Sequence, residues 1–315
     1  MSFKQLGRFS ERVAVAVCAI SVLLLASTLV LKPSAAGGTL GTVGVTGALL
    51  VLCILHAIAT KGWRRALGFT ALSFAISWAL EFIGCNYALW FGNYHYTHVL
   101  GLSIGHVPVV VVCAWEALIY PSLLIVDSMI GSLTARSRSA RLLQIGIASL
   151  ATGLVATAWD MMNDPLAVHL HMWRWTFGGA YMHQLSGGVP YSNMWGWVGA
   201  VFIISLLYKL LIAGRAGGPS VVQTGSPLLF GAAIYTTWFC LAAYALLGYH
   251  LDEPLFIGVF TMMPTIAFCW GKYFLARTQA SEAPLPVTTS PVRLDEAPSA
   301  RHGPTLTGVK ATGPS

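Results

Sequence analysis

Charge is what this chain has least of. Only 9% of its 315 residues are Asp, Glu, Lys or Arg, and only 11 are acidic, against 56% hydrophobic residues. With a mean hydropathy of +0.70, such a chain cannot cover itself with polar surface, which excludes an ordinary soluble domain and makes lipid the solvent. Paired cysteines are also missing. The six cysteines (Cys18, Cys53, Cys85, Cys113, Cys240, Cys269) show no C-x-x-C spacing and lie mostly within apolar runs, so they read as small core residues rather than as zinc, redox or disulfide partners. No Gly-rich phosphate loop follows a strand, and no internal repeat is evident. There is no His-His pair; His95 and His98 are three apart, and His169 and His171 two apart. A membrane di-iron enzyme would need several denser histidine clusters, so that reading is set aside.

What is there is long apolar runs. Spans are predicted at Val13 to Leu31, Thr39 to Thr60, Ala66 to Ile83, Val107 to Val126, Leu142 to Trp159, Trp195 to Ile212, Leu228 to Leu247 and Leu255 to Leu275. Each is long enough to cross a hydrocarbon layer of about 30 Å as a helix. The expected fold is therefore an all-α polytopic membrane bundle of about eight transmembrane helices. With the first span running outward, Lys4, Arg8, Arg12, Lys61, Arg64, Arg65, Arg136, Arg138, Arg141, Lys209, Arg215, Lys272 and Arg277 fall inside, and only Lys32 and Arg174 outside. That asymmetry predicts both termini in the cytoplasm and a multi-pass protein of the inner (cytoplasmic) membrane. It also turns a net charge of +7 from a nucleic-acid signal into a topology signal, so lipid, and no nucleic acid, is the expected partner.

Ser34-Ala35-Ala36 resembles a signal-cleavage site, but the preceding apolar run is long and Lys32-Pro33 intervene, so the first span is read as a retained helix. The domain plan is a cytoplasmic N-terminus at 1–12, a transmembrane domain at 13–277 and a tail at 278–315. The tail is rich in Pro, Ser, Thr and Ala with no apolar period, and is expected to be disordered.

Ionisable groups at membrane depth are costly and persist mainly for function. Glu81 lies near the outer end of the third span and Glu116 in the middle of the fourth. Asp160 and Asp164 open the long loop expected after the fifth, and would share a face one turn apart if the helix continued. Two neighbouring carboxyls make a usable acid and base pair; the competing reading is that these acids cap helix ends or pair with Arg174 and nearby histidines. For Glu116 the competing partners are Trp115 and Tyr120. Aromatics crowd the same side: Trp78, Tyr87, Trp90, Tyr94 and Tyr96, then Trp159, Trp173, Trp175, Tyr181, Tyr191, Trp195 and Trp197. Interfacial belts account for many of them. A pocket of such rings beside carboxyl groups would also suit an apolar polyene and a carbocation formed on it.

Six stretches carry a resemblance. They are Glu81-Phe82-Ile83-Gly84, Trp90-Phe91-Gly92-Asn93-Tyr94-His95-Tyr96, Gly105-His106-Val107-Pro108, Asp160-Met161-Met162-Asn163-Asp164-Pro165, Trp173-Arg174-Trp175 and Val189-Pro190-Tyr191-Ser192-Asn193-Met194-Trp195-Gly196-Trp197. In this order, over about residues 66 to 275, the chain resembles the membrane carotenoid-biosynthesis proteins that include the carotenoid 1,2-hydratases of lycopene, γ-carotene and bisanhydrobacterioruberin. The resemblance implies hydration of the terminal double bond of a linear carotenoid, without metal, flavin or nicotinamide. It implies Glu81, Asp160 and Asp164 as catalytic carboxyls, with Asp160 and Glu81 the acid and base, not yet ordered, and Asp164 their electrostatic partner. It further implies Tyr94, Tyr96, Glu116, Trp173, Trp175, Tyr181, Asn193 and Trp197 around the substrate, Asn193 holding the water. Other enzymes of the pathway are the expected protein neighbours. Three alternatives stay open: a lycopene-type cyclase, which shares the protonation step; a prenyl transferase or elongase using magnesium and diphosphate, for which the full N-D-x-x-D pattern is missing; and a non-catalytic carotenoid carrier or scaffold.

Overall fold

Apolar periodicity becomes helix wherever the run is long enough. A computed structural model describes residues 2–31, 39–130, 137–177, 188–213 and 227–282. Its elements are α1 (Phe3–Ser27), α2 (Thr39–Lys61), α3 (Trp63–Tyr87), β1 (Asn93–Tyr96), β2 (Ser103–Ile104), β3 (Val107–Pro108), α4 (Val109–Ile130), α5 (Arg138–His169), β4 (Trp173–Phe177), α6 (Tyr191–Leu207), α7 (Pro227–Gly248) and α8 (Asp252–Glu282). A π-helical segment, Tyr208–Ala213, extends α6. Among the described residues eight helices are long and apolar enough to cross a membrane, so the chain is an all-α polytopic bundle. A bilayer leaves no other partner for backbone N–H and C=O groups than the helix itself.

The helix starts follow local chemistry. Ser2 and Gln5 form a capping box on α1, and Ser137 accepts from the Ala140 N–H at the start of α5, at 3.2 Å. Two helices make the centre of the bundle: α4 and α7 are 72% and 78% buried across their spans, whereas α1, α3 and α8 are each 28% buried. Helices apolar on every side are the ones a bundle can enclose. The peripheral helices turn Ile20, Leu23, Phe260 and Phe268 outward, where lipid solvates them. Close packing of α5 on α6 depends on Gly153, where a Cβ would stand only 2.7 Å from the Val198 carbonyl oxygen.

The ends of the bundle differ. At one, Lys209 pairs with Asp127 and the Lys272 ammonium donates to the Ser128 carbonyl, with Lys61 at the end of α2 and Arg64 and Arg65 at the start of α3. At the other, connecting segments form two small sheets. β1 pairs antiparallel with β4, Tyr94 opposite Trp175 and Tyr96 opposite Trp173. β2 and β3 form a hairpin whose turn residues, Gly105 and His106, both take positive φ, as a tight two-residue hairpin turn requires. The His106 ring nitrogen Nδ1 lies 2.7 Å from Asn86 Oδ1 and fixes the turn to α3.

Several helices run beyond the predicted apolar spans; α1 begins at Phe3 rather than Val13. α5 does not end at Trp159 but runs on to His169, through Pro165, so Asp160 and Asp164 are helical rather than in a loop. α8 likewise reaches Glu282 and takes in the first five residues of the expected tail; the remainder of the tail lies outside the described residues. The charge asymmetry predicts that a reporter fused at the C-terminus reads as cytoplasmic, and one inserted at residues 179–188 as external. A cytoplasmic signal from the insertion would reverse the orientation.

Candidate functional site

Glu81 faces inward near the end of α3, and its carboxyl is surrounded by donors. The Trp115 indole on α4 donates to Oε1 at 2.9 Å, and the Tyr96 phenol to Oε2 at 2.6 Å. The Tyr94 phenol donates to Oε2 as well. Strand alternation arranges this: along β1, Tyr94 and Tyr96 turn to the interior while His95 is exposed. Gly84 makes the space, since a Cβ there would fall 2.7 Å from the Tyr94 hydroxyl. Burial first, and the nearby Glu81 second, push both phenols well above the usual tyrosine range, so they remain O–H donors.

Asp160 and Asp164 lie one helical turn apart on α5 and meet at a single side chain of α6. The Asn193 amide nitrogen donates to Asp160 Oδ2 at 3.0 Å and to Asp164 Oδ2. Both N–H bonds of that amide are thereby used, which leaves its carbonyl oxygen as the group that could accept from a water. The three acids are 1–4% exposed. Neither aspartate pairs with Arg174, whose guanidinium lies 3.4 Å from His171 Nδ1. Backbone continuity through Pro165 turns a sequence spacing into a shared face.

The three carboxyl residues line one cavity of about 120 Å³. Tyr94, Tyr96, Trp173, Trp175 and Trp197 wall it together with Trp115, Trp159 and Trp238, and Leu100, Val110, Val111, Leu166, Leu170 and Met172 supply apolar surface. Trp115 and Trp197 stack face to face, with centroids 3.7 Å apart; Trp173 packs edge-on to Tyr96 and Trp175 tilts against Tyr94. An apolar cavity of roughly 150 Å³ accommodates one benzene-sized molecule. The space here therefore fits the end of a hydrocarbon chain.

The profile of the carotenoid biosynthesis protein family matches residues 40–264, most of the chain and every residue of this site. The chain belongs to the carotenoid biosynthesis protein family. No curated protein and no solved structure gives a significant match.

Within this family member, two expected site residues stand apart. Glu116 does not line the cavity. It accepts from the Thr70 hydroxyl at 2.9 Å, because α4 turns Trp115 toward Glu81 and the next residue away from it. Its expected partners are engaged elsewhere: Trp115 donates to Glu81, and the Tyr120 hydroxyl lies 2.8 Å from His56 Nδ1. Tyr181 lies outside the described residues. Among the cavity residues with no assigned role in the sequence are Trp115, Trp159, Thr46 and Trp238. Trp115 and Trp159 were visible beside the acids at 116 and 160. Thr46 and Trp238 come from α2 and α7, within uninterrupted apolar runs that carry no signal.

Proposed function

We propose that this protein is a carotenoid 1,2-hydratase, adding water across the terminal double bond of a linear carotenoid to give a tertiary alcohol. The supporting observation is the convergence of three buried carboxyl groups on one aromatic cavity the size of a chain end. Such a cavity takes the isopropylidene terminus and leaves the rest of the polyene outside it.

The environments suggest an order for the acids. Glu81 receives three hydrogen bonds, an arrangement suited to an ionised carboxylate, which accepts only. Asp160 and Asp164 share one amide and face each other, which suits one proton held between two carboxyls. In this reading the aspartate pair gives its proton to the CH carbon of the terminal double bond, and a tertiary cation forms on the neighbouring carbon. Ring faces of the surrounding tryptophans and tyrosines stabilise that cation. A water oxygen then bonds to it, one of the water's two protons passes to Glu81 while the other stays in the hydroxyl, and return of that proton from Glu81 to the aspartate pair restores both groups. Proton count and charge close without an external oxidant or reductant.

The test is expression in a lycopene-producing bacterium, followed by mass analysis of the pigments. Gain of one water, or of two, is expected. The new oxygen should come from labelled water, and activity should persist in membranes under chelation and without oxygen. Label arriving from molecular oxygen would exclude hydration. A cyclic product of unchanged mass would indicate a cyclase and five-carbon additions a prenyl transferase. Unaltered pigment that co-purifies with the protein would indicate a carrier.

A further inference from the structure

Several described indoles spend their N–H on the protein. Trp115 donates to Glu81, Trp238 to the Ala117 carbonyl at 3.2 Å, and the more exposed Trp90 to the Gly196 carbonyl at 2.9 Å. Two others contrast with these. The Nε1 atoms of Trp159 and Trp175 are buried without a partner, and both residues line the candidate cavity. A buried donor left unmade is costly and calls for an occupant that completes it. An indole N–H can only donate, so that occupant must offer a lone pair, which the end of a hydrocarbon polyene lacks.

We infer that the cavity contains a seat for an oxygen atom, formed by the Trp159 and Trp175 indole N–H groups, which holds the reacting water and then the tertiary hydroxyl of the product. The inference rests on the hydratase reading and supplies donors to the water oxygen, which Asn193, with both N–H bonds on the aspartates, does not. A water that accepts from one indole and donates to a carboxylate keeps a second lone pair free for the cation. When the C–O bond forms, one water proton leaves to the carboxylate and the oxygen remains where both indoles can reach it. Trp159 precedes Asp160 on α5, and Trp175 packs on Tyr94, which donates to Glu81, so one donor-bearing residue neighbours each carboxyl flank of the cavity.

The test uses the full-length protein in lipid nanodiscs, titrated with lycopene and with its 1,1′-dihydroxy derivative, whose ends are alike, and read from the shift of the visible band. Wild type should bind the diol about 10-fold more tightly than the hydrocarbon, the scale of one or two net hydrogen bonds. Trp159→Phe and Trp175→Phe keep a ring and lose the donor, so each should reduce the ratio of diol to lycopene affinity, measured against the variant's own lycopene affinity. Equal affinity of wild type for the two pigments would mean that the indoles meet the polyene through its π face, and would overturn the seat. A preference unchanged in both variants would overturn it too. Turnover in heavy water adds a readout that packing alone does not move: with the water poorly held, the cation returns a proton, and recovered lycopene should gain deuterium at the expense of alcohol. Selective diol binding without any hydration would keep the oxygen seat and sink the hydratase reading, whereas binding of neither pigment would overturn both.

Discussion

Asp160→Asn is expected to lower product formation by roughly 10²-fold or more while the protein still accumulates in the membrane, the scale of a lost general acid. The substitution keeps the side chain's shape and removes its titratable proton. Asp160 is 1% exposed and accepts from Asn193, so the new amide can still turn its oxygen to that donor and preserve the α5–α6 contact. If Asp160 only joins two helices, stability should fall by about 1 kcal/mol and turnover per folded molecule should stay near normal. The discriminating measurement is product formed per unit of protein in the membrane, in parallel with Asp164→Asn. Full activity in both would remove the aspartate pair from the chemistry.

Glu81→Gln should carry a comparable loss of activity together with a loss of stability. Tyr94, Tyr96 and Trp115 direct three donors at a carboxyl group that can accept them all. Glutamine offers one acceptor oxygen and an NH₂ group, so at least one of those donors loses its carboxylate acceptor in a buried site, at a cost of about 1–3 kcal/mol. Product formation should fall by roughly 10²-fold or more if Glu81 receives the proton released by water. Pairing it with Tyr96→Phe separates the two effects: the double variant should regain part of the thermal stability and none of the activity. Activity returning with stability would make Glu81 a structural acceptor and leave the aspartate pair to act without it.

The parts of the site that could be read from residues alone are those where cost singles a residue out. In a chain with 11 acidic residues, a carboxyl inside an apolar run is conspicuous, and Glu81, Asp160 and Asp164 all proved to line one cavity. Glu116 was equally conspicuous and does not line it, because depth in the membrane says nothing about rotation. One residue along a helix is about 100° of turn, enough to send Trp115 to the cavity and Glu116 to Thr70. The aromatic wall was visible as a crowd of residues but not as a wall. Its geometry depends on β1 and β4 pairing across segments about 80 residues apart in the chain.

The sequence by itself determined the solvent, the class of fold and the number of spans. A bilayer forces every backbone hydrogen bond inside the helix, so run length and charge placement suffice to read them. It also determined which acids were worth attention, since charge at membrane depth is rare and costly. Only the tertiary structure decided that α5 continues through Pro165 to put two aspartates on one amide, that paired strands turn two tyrosines onto Glu81, and that α2 and α7 add Thr46 and Trp238 to the cavity. Each of those outcomes depends on which face a helix or strand presents and what meets it from elsewhere in the chain. That is settled by packing among elements distant in sequence, to which local composition is blind.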